Sequence, residues 1–240
     1  MAKLLVSVRD AAEALMASQE GVDLVDIKNP DRGSLGAADA ATIDTIARQL
    51  AGNVPLSVAL GELAEGNQLS PALAGRVAYA KFGLAGCSRQ ADWPARWEAA
   101  IQNLPPGVIP VAVAYADWRC AAAPDPLAII GHAVSLGCGA LLLDTYCKGH
   151  DNLLHHCKRS ELQQLLAMVQ RAGMLSVLAG SLGPREILTL LPLLPDYVAV
   201  RGAACAGPRT AHLDRQRLRE LVALVHTTDH AVAGAATTTG

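Results

Sequence analysis

Long apolar runs are missing from this 240-residue chain. None nears the roughly 18–20 residues of a membrane-spanning helix, so no transmembrane segment is expected. The apolar run at residues 4–8 gives way to Arg9 and Asp10 and is too short for the core of a signal peptide. Excess charge is missing too: 20 basic residues against 22 acidic ones leave a formal net charge of −2. That balance gives no electrostatic basis for binding nucleic acid or an anionic membrane, and neither partner is expected. The six cysteines (Cys87, Cys120, Cys138, Cys147, Cys157 and Cys205) contain no CxxC pair. In a chain this long without a secretory signal, free thiols in a cytoplasmic protein are the expectation. Lysine is scarce. Only five of the 20 basic residues are Lys (Lys3, Lys28, Lys81, Lys148 and Lys158). Where Arg supplies generic positive charge, a Lys marks a place where Arg will not serve.

What is abundant is apolar side chain, at 51% of the residues, which predicts a sizeable core and excludes disorder. Short apolar runs alternate with helical patterns along the chain. The strand candidates are 4–8, 23–28, 55–60, 77–83, 109–116, 140–145, 175–180 and 197–202. Helical patterns follow at 9–20, 37–52, 70–77, 91–104, 125–138, 160–173, 183–194 and 213–226. Ser160 with Gln163 fits a capping box, and Gly21, Gly52, Gly137 and Gly173 stand where helices should end. Eight β-α units in one chain predict a TIM (β/α)8 barrel, an α/β fold. An open doubly wound sheet would close after fewer strands and carry a Gly-rich first turn, and "VRDAAE" has no glycine. Without a linker or a shift in composition, residues 1–227 read as one domain and 228–240 as a tail expected to fray.

In such a barrel the active site lies at the C-terminal ends of the strands. Strand 2 ends with Asp26 and Lys28, two residues apart and therefore on one face. Strand 4 carries Lys81, strand 6 ends at Asp144 with Lys148 just beyond, and strand 8 ends at Arg201. All come from even-numbered strands, which share layers of the interior. Singly, each has a plain reading as a solvent-seeking lysine, a helix cap or a surface ion pair. Their convergence from a lysine-poor chain favours a site. A lysine offers nucleophilic addition to a carbonyl, and burial beside a second cation can bring its pKa from about 10.4 toward about 7–8. Lysines and aspartates at strand ends are thus the parts of a Schiff-base enzyme. The loops after strands 7 and 8, "LAGSLGP" and "VRGAACAGP", place small residues where this fold binds phosphate. Gly180, Ser181, Gly202 and Ala203 would offer backbone N–H groups, and Arg201 a charge-assisted bond. Ser34, in the small-residue loop after strand 2, is a further candidate at the mouth. His150, His155, His156 and Cys157 crowd one segment, but their spacing matches no zinc pattern. A polar loop without metal is expected there.

"DIKNPDRGSLGA", "AKFGL", "LLLDT" followed by Lys148, "LAGS" and "VRGAAC" closely resemble the motifs of the (5-formylfuran-3-yl)methyl phosphate synthase family. This family is also called 4-(hydroxymethyl)-2-furancarboxaldehyde-phosphate synthase, of the methanofuran pathway. The resemblance runs from strand 1 to strand 8. It implies a cofactor-free lyase that joins two molecules of glyceraldehyde 3-phosphate into a phosphorylated furan aldehyde. By that pattern Lys28 forms the Schiff base and Lys81 is the general base. Asp26, Asp144 and Lys148 match further active-site positions. The segment 146–157 is less charged than the family pattern suggests, and the residues after about 227 are extra. Two alternatives stay open at this stage: another lysine aldolase acting on sugar phosphates, and a non-catalytic barrel that binds phosphometabolites. Apolar outer-helix residues such as those of 186–194 point to a homo-oligomer.

Overall fold

In the computed structural model, which describes residues 2–50, 52–147, 149 and 151–235 (228–235 by backbone alone), eight parallel strands close into one barrel in chain order. They are β1 (Lys3–Val8), β2 (Leu24–Ile27), β3 (Leu56–Glu62), β4 (Tyr79–Gly83), β5 (Ile109–Tyr115), β6 (Ala140–Asp144), β7 (Leu175–Leu178) and β8 (Tyr197–Val200). The helices are α1 (Ala11–Gln19), α2 (Ala40–Gln49), α3 (Trp93–Gln102), α4 (Pro126–Ser135), α5 (Leu153–His156), α6 (Arg159–Arg171), α7 (Pro184–Leu190) and α8 (Arg215–Ala235). The expected TIM barrel is the fold observed. Each strand is buried on both faces, as a parallel sheet covered by helices requires. Leu5, Leu24, Ala59, Val111, Leu142 and Val177 belong to the inner core. Their neighbours Leu4, Val25, Val58, Ala112, Leu141 and Leu178 belong to the outer core, shared with the helices.

All eight strand positions match the sequence reading, and so do most helices. The exceptions have local causes. Over 70–77 the chain forms only a 3-10 turn at Pro71–Leu73, after another at Leu63–Glu65. Gly66, Pro71 and Gly75 leave no uninterrupted stretch for a helix there. Helix α6 starts at Arg159, not after Ser160: the Glu161 carboxylate accepts the Lys158 N–H at 2.7 Å. A charged acceptor three residues after Lys158 outcompetes the Gln163 amide. The segment with His155 and His156, expected as a loop, forms α5, capped by Asn152 accepting Leu154 N–H at 2.9 Å. Helix α8 runs on to Ala235, past the expected end at 226, because no proline or glycine interrupts 215–233. Residues 236–240 of the expected tail lie outside the described residues.

The cysteine expectation holds for four residues and fails for two. Cys87, Cys138, Cys157 and Cys205 are free, but Cys120 and Cys147 form a disulfide across a separation of 27 residues. They lie on the loops after β5 and β6, whose strands are paired neighbours, so barrel closure brings them together. Among the described residues, no helix is long and apolar enough to cross a membrane.

Candidate active site

Strand register builds one polar layer inside the barrel. Ser7 on β1 pairs with Asp26 on β2, which pairs with Ser57 on β3. Lys81 reaches in from β4. Its Nζ donates to Asp26 Oδ1 in a short ion pair and to Ser57 Oγ at 2.9 Å. Ser7 Oγ donates to Asp26 Oδ2 at 3.0 Å. Asp26 and Lys81 are each only 2% exposed. Two charges so buried are tolerated because each is paired and hydrogen bonded, and removing either would strand the other. The sequence reading found the charged pair on even strands but missed both serines, which come from odd strands. Their signal is present: each is a polar residue at inward parity in a largely apolar strand.

Above this layer, Lys28 Nζ donates to the Ser34 carbonyl at 3.0 Å. The Ser34 hydroxyl lies 2.9 Å from Asp144 Oδ2 and 3.0 Å from the Thr145 carbonyl. The Thr145 N–H donates to Asp144 Oδ1 at 2.8 Å. Ser34, expected at the cavity mouth, is buried as a brace between the β2 and β6 loops. Lys148 lies outside the described residues.

A cavity of about 640 Å³ opens over these groups, lined by Asp26, Lys28, Lys81 and Asp144. Its other wall is the expected phosphate side, with Gly180, Ser181, Gly202 and Ala203. Gly180 has φ +102°, and a Cβ there would fall 2.9 Å from Thr145 Cγ2 and 3.3 Å from Leu153 Cβ. Only glycine fits. Ser181 follows in the left-handed region at φ 53°, a strained conformation for a residue with a side chain.

Arg201, expected to bind phosphate, lines the cavity and bonds within the protein. Its Nη1 donates to Glu13 Oε2 at 2.8 Å and to the Ser7 carbonyl at 2.9 Å. Nη2 donates to Glu13 Oε1 at 3.3 Å and the Ala211 carbonyl at 3.1 Å, and Nε to the Arg209 carbonyl at 2.6 Å. All five of its N–H donors are committed within the protein. Glu13, an unremarkable helix residue in the sequence, is the buried counter-ion. Arg209 lines the same cavity and, among the described residues, bonds through Nη2 alone. Burial lowers the Arg209 pKa, Asp144 opposes that, and Arg201 adds to it.

A second polar pair closes the rim near β3 and β5. The Tyr115 hydroxyl donates to Glu62 Oε1 at 2.6 Å, and the Ala85 N–H to Glu62 Oε2 at 2.8 Å. Burial pushes the Glu62 carboxyl up from its ordinary value, and pushes Tyr115 well up.

Solved structures similar to this one share its fold. Phosphoribosyl anthranilate isomerase from Thermus thermophilus aligns with TM-score 0.60 at 18% identity, over 94% of this chain and 99% of its own. A 3-hexulose-6-phosphate synthase aligns with TM-score 0.52 at 16% identity, over 92% and 99%. Among curated proteins, (5-formylfuran-3-yl)methyl phosphate synthase of Methanococcus maripaludis is 34% identical over 229 residues, 91% of this chain and 97% of that protein. The protein of the same name from Methanosarcina acetivorans is 30% identical over 229 residues, 92% and 98% respectively. The family model described as 4-HFC-P synthase matches residues 4–222, a span that holds all eight strands except Lys3 of β1 and every described residue of the lysine-aspartate site, and the chain belongs to that enzyme family.

Proposed function

We propose that the protein condenses two molecules of glyceraldehyde 3-phosphate into 4-(hydroxymethyl)-2-furancarboxaldehyde phosphate, in the cytoplasm and in service of a methanofuran-type cofactor. Two trioses supply the six carbons of the product. One inorganic phosphate and two waters leave, and one phosphate stays. The observation that carries this reading is the pair of lysines, Lys28 and Lys81, on one cavity wall with Asp26 between the strands' polar groups.

In this reading Lys28, as the neutral amine, adds to the carbonyl of one triose. The carbinolamine loses water to an imine, which makes the neighbouring carbon acidic. Lys81 removes that proton once its own has passed to Asp26, its hydrogen-bond partner. The enamine joins the second triose, and loss of phosphate, dehydration, ring closure and release from Lys28 complete the conversion with a net loss of one phosphate and two waters. Asp144, held by Ser34 and Thr145, and Lys148 anchor carbonyl or phosphate groups. The backbone of Gly180, Ser181, Gly202 and Ala203 receives phosphate, and Arg201 positions the β8 loop. The protein works as a homo-oligomer: Leu188 and Leu194 on and after α7 are 47% and 67% exposed and would be covered by a second copy.

Incubation with glyceraldehyde 3-phosphate alone should release inorganic phosphate and build an ultraviolet furan chromophore. Lys28→Arg should abolish both and remove the borohydride-trapped adduct, and Lys81→Arg should slow turnover about 10²–10⁴-fold. Normal turnover by Lys28→Arg would end the mechanism. A reversible aldolase would yield neither phosphate nor furan.

A further inference from the structure

The loops after β2 and β8 are joined by side chains to which the proposed chemistry gives no role. Arg209 donates through Nη2 to the carbonyls of Pro30 and, at 2.7 Å, Gly33. Arg9 adds a second tie, at 2.9 Å to Asp31 Oδ2 and 2.5 Å to the Thr210 carbonyl. The segment held in this way is the one that presents the Ser34 carbonyl to Lys28 Nζ and the Ser34 hydroxyl to Asp144. The backbone of Arg209 is gripped in turn by Arg201 Nε, which is anchored by Glu13 through the rest of its guanidinium. Among the described residues, the hydrogen bonds of the Arg209 side chain leave only from Nη2. Its Nε and Nη1 have no such bond among the described residues, and Arg209 lines the cavity together with Gly202 and Ala203.

We propose that Arg209 is a positioning residue that couples phosphate binding to the orientation of Lys28. Both hydrogens of Nη2 are spent on the carbonyls of residues 30 and 33, and a remaining N–H, on Nε or Nη1, takes a phosphate oxygen seated on the β8 loop. Phosphate neutralises and immobilises the group, which stiffens segment 29–36 and fixes where Lys28 points. An unphosphorylated aldehyde would enter the same cavity and meet a looser Lys28. The phosphate seat on the β8 loop and the identity of the substrate rest on the proposed function.

The test is amide hydrogen exchange across residues 29–36, with and without saturating inorganic phosphate, in the wild type and in Arg209→Ala. Phosphate should slow exchange in the wild type and leave the variant unchanged. With glyceraldehyde 3-phosphate, Arg209→Ala should raise KM about 10–100-fold, the cost of one charge-assisted bond, and should also lower kcat. Arg209→Lys should regain part of the affinity but not the protection, and it carries the same comparison if the alanine variant does not fold. Equal protection by phosphate in wild type and variant, or none in the wild type, overturns the proposal. A wild type that shows the coupling yet never makes the furan would refute the proposed function and leave Arg209 in place.

Discussion

At the residue scale, the interior shows how a barrel tolerates charge. Asp26 is met by Lys81 on one oxygen and Ser7 on the other, while Ser57 takes a further proton of Lys81. Glu13 and Arg201 repeat the arrangement one step outward. In such pairs the loss of one partner costs more than the pair is worth, about 3–5 kcal/mol, because the survivor is left buried and charged. Glu62 is the contrasting case, a carboxyl whose folded pKa is raised by burial. As pH rises, the unfolded chain loses this proton first, at about 4.3. The stabilisation from Glu62 is therefore complete below that pH and is lost as pH climbs through the folded value. Glu62→Gln stays neutral throughout. Urea midpoints measured from about pH 4 to about pH 7 should fall for the wild type relative to Glu62→Gln, since an ordinary carboxyl titrates within that span.

At the element scale, the irregular pieces surround the site. The β3–β4 connection has turns where the other crossovers have helices, and α5 packs against the β7 loop through Leu153 N–H to the Gly180 carbonyl at 2.9 Å. The loops after β5 and β6 are tied twice, by Cys120–Cys147 and by Asp117, which accepts the N–H groups of Tyr146 and Cys147 at 2.7 Å each. A reducing cytoplasm would hold such a pair as thiols, so its contribution is read under oxidising conditions. There Cys147→Ser should lower stability by about 3.5 kcal/mol, the loop-closure entropy of a ring this size, seen as a lower urea midpoint. Thiol titration of the native wild type should find the remaining cysteines slow: burial pushes Cys138 up to about 12 and Cys157 up to about 11.

At the scale of the whole molecule, closure removes every sheet edge and leaves the outer helices as the surface for association. Light scattering should give a mass that is a multiple of the 25.0 kDa chain. Leu194→Glu should shift it toward the monomer, because a charge would then have to be buried against a second copy.

Much of this architecture was legible before any coordinates. Apolar period and glycine punctuation placed all the strands, and strand ends placed Asp26, Lys28, Lys81 and Asp144, because burial on both faces writes a continuous apolar run that a buried charge interrupts. What sequence could not supply were relations across distance. Nothing near Glu13 announces Arg201, whose charge looked free for phosphate. Nothing links Cys120 to Cys147, or Arg209 to the carbonyls behind Lys28. Local patterns carry propensity and parity, which are properties of neighbours in the chain. Which donor is already spent, and which remains open toward the cavity, depends on loops brought together only when the barrel closes.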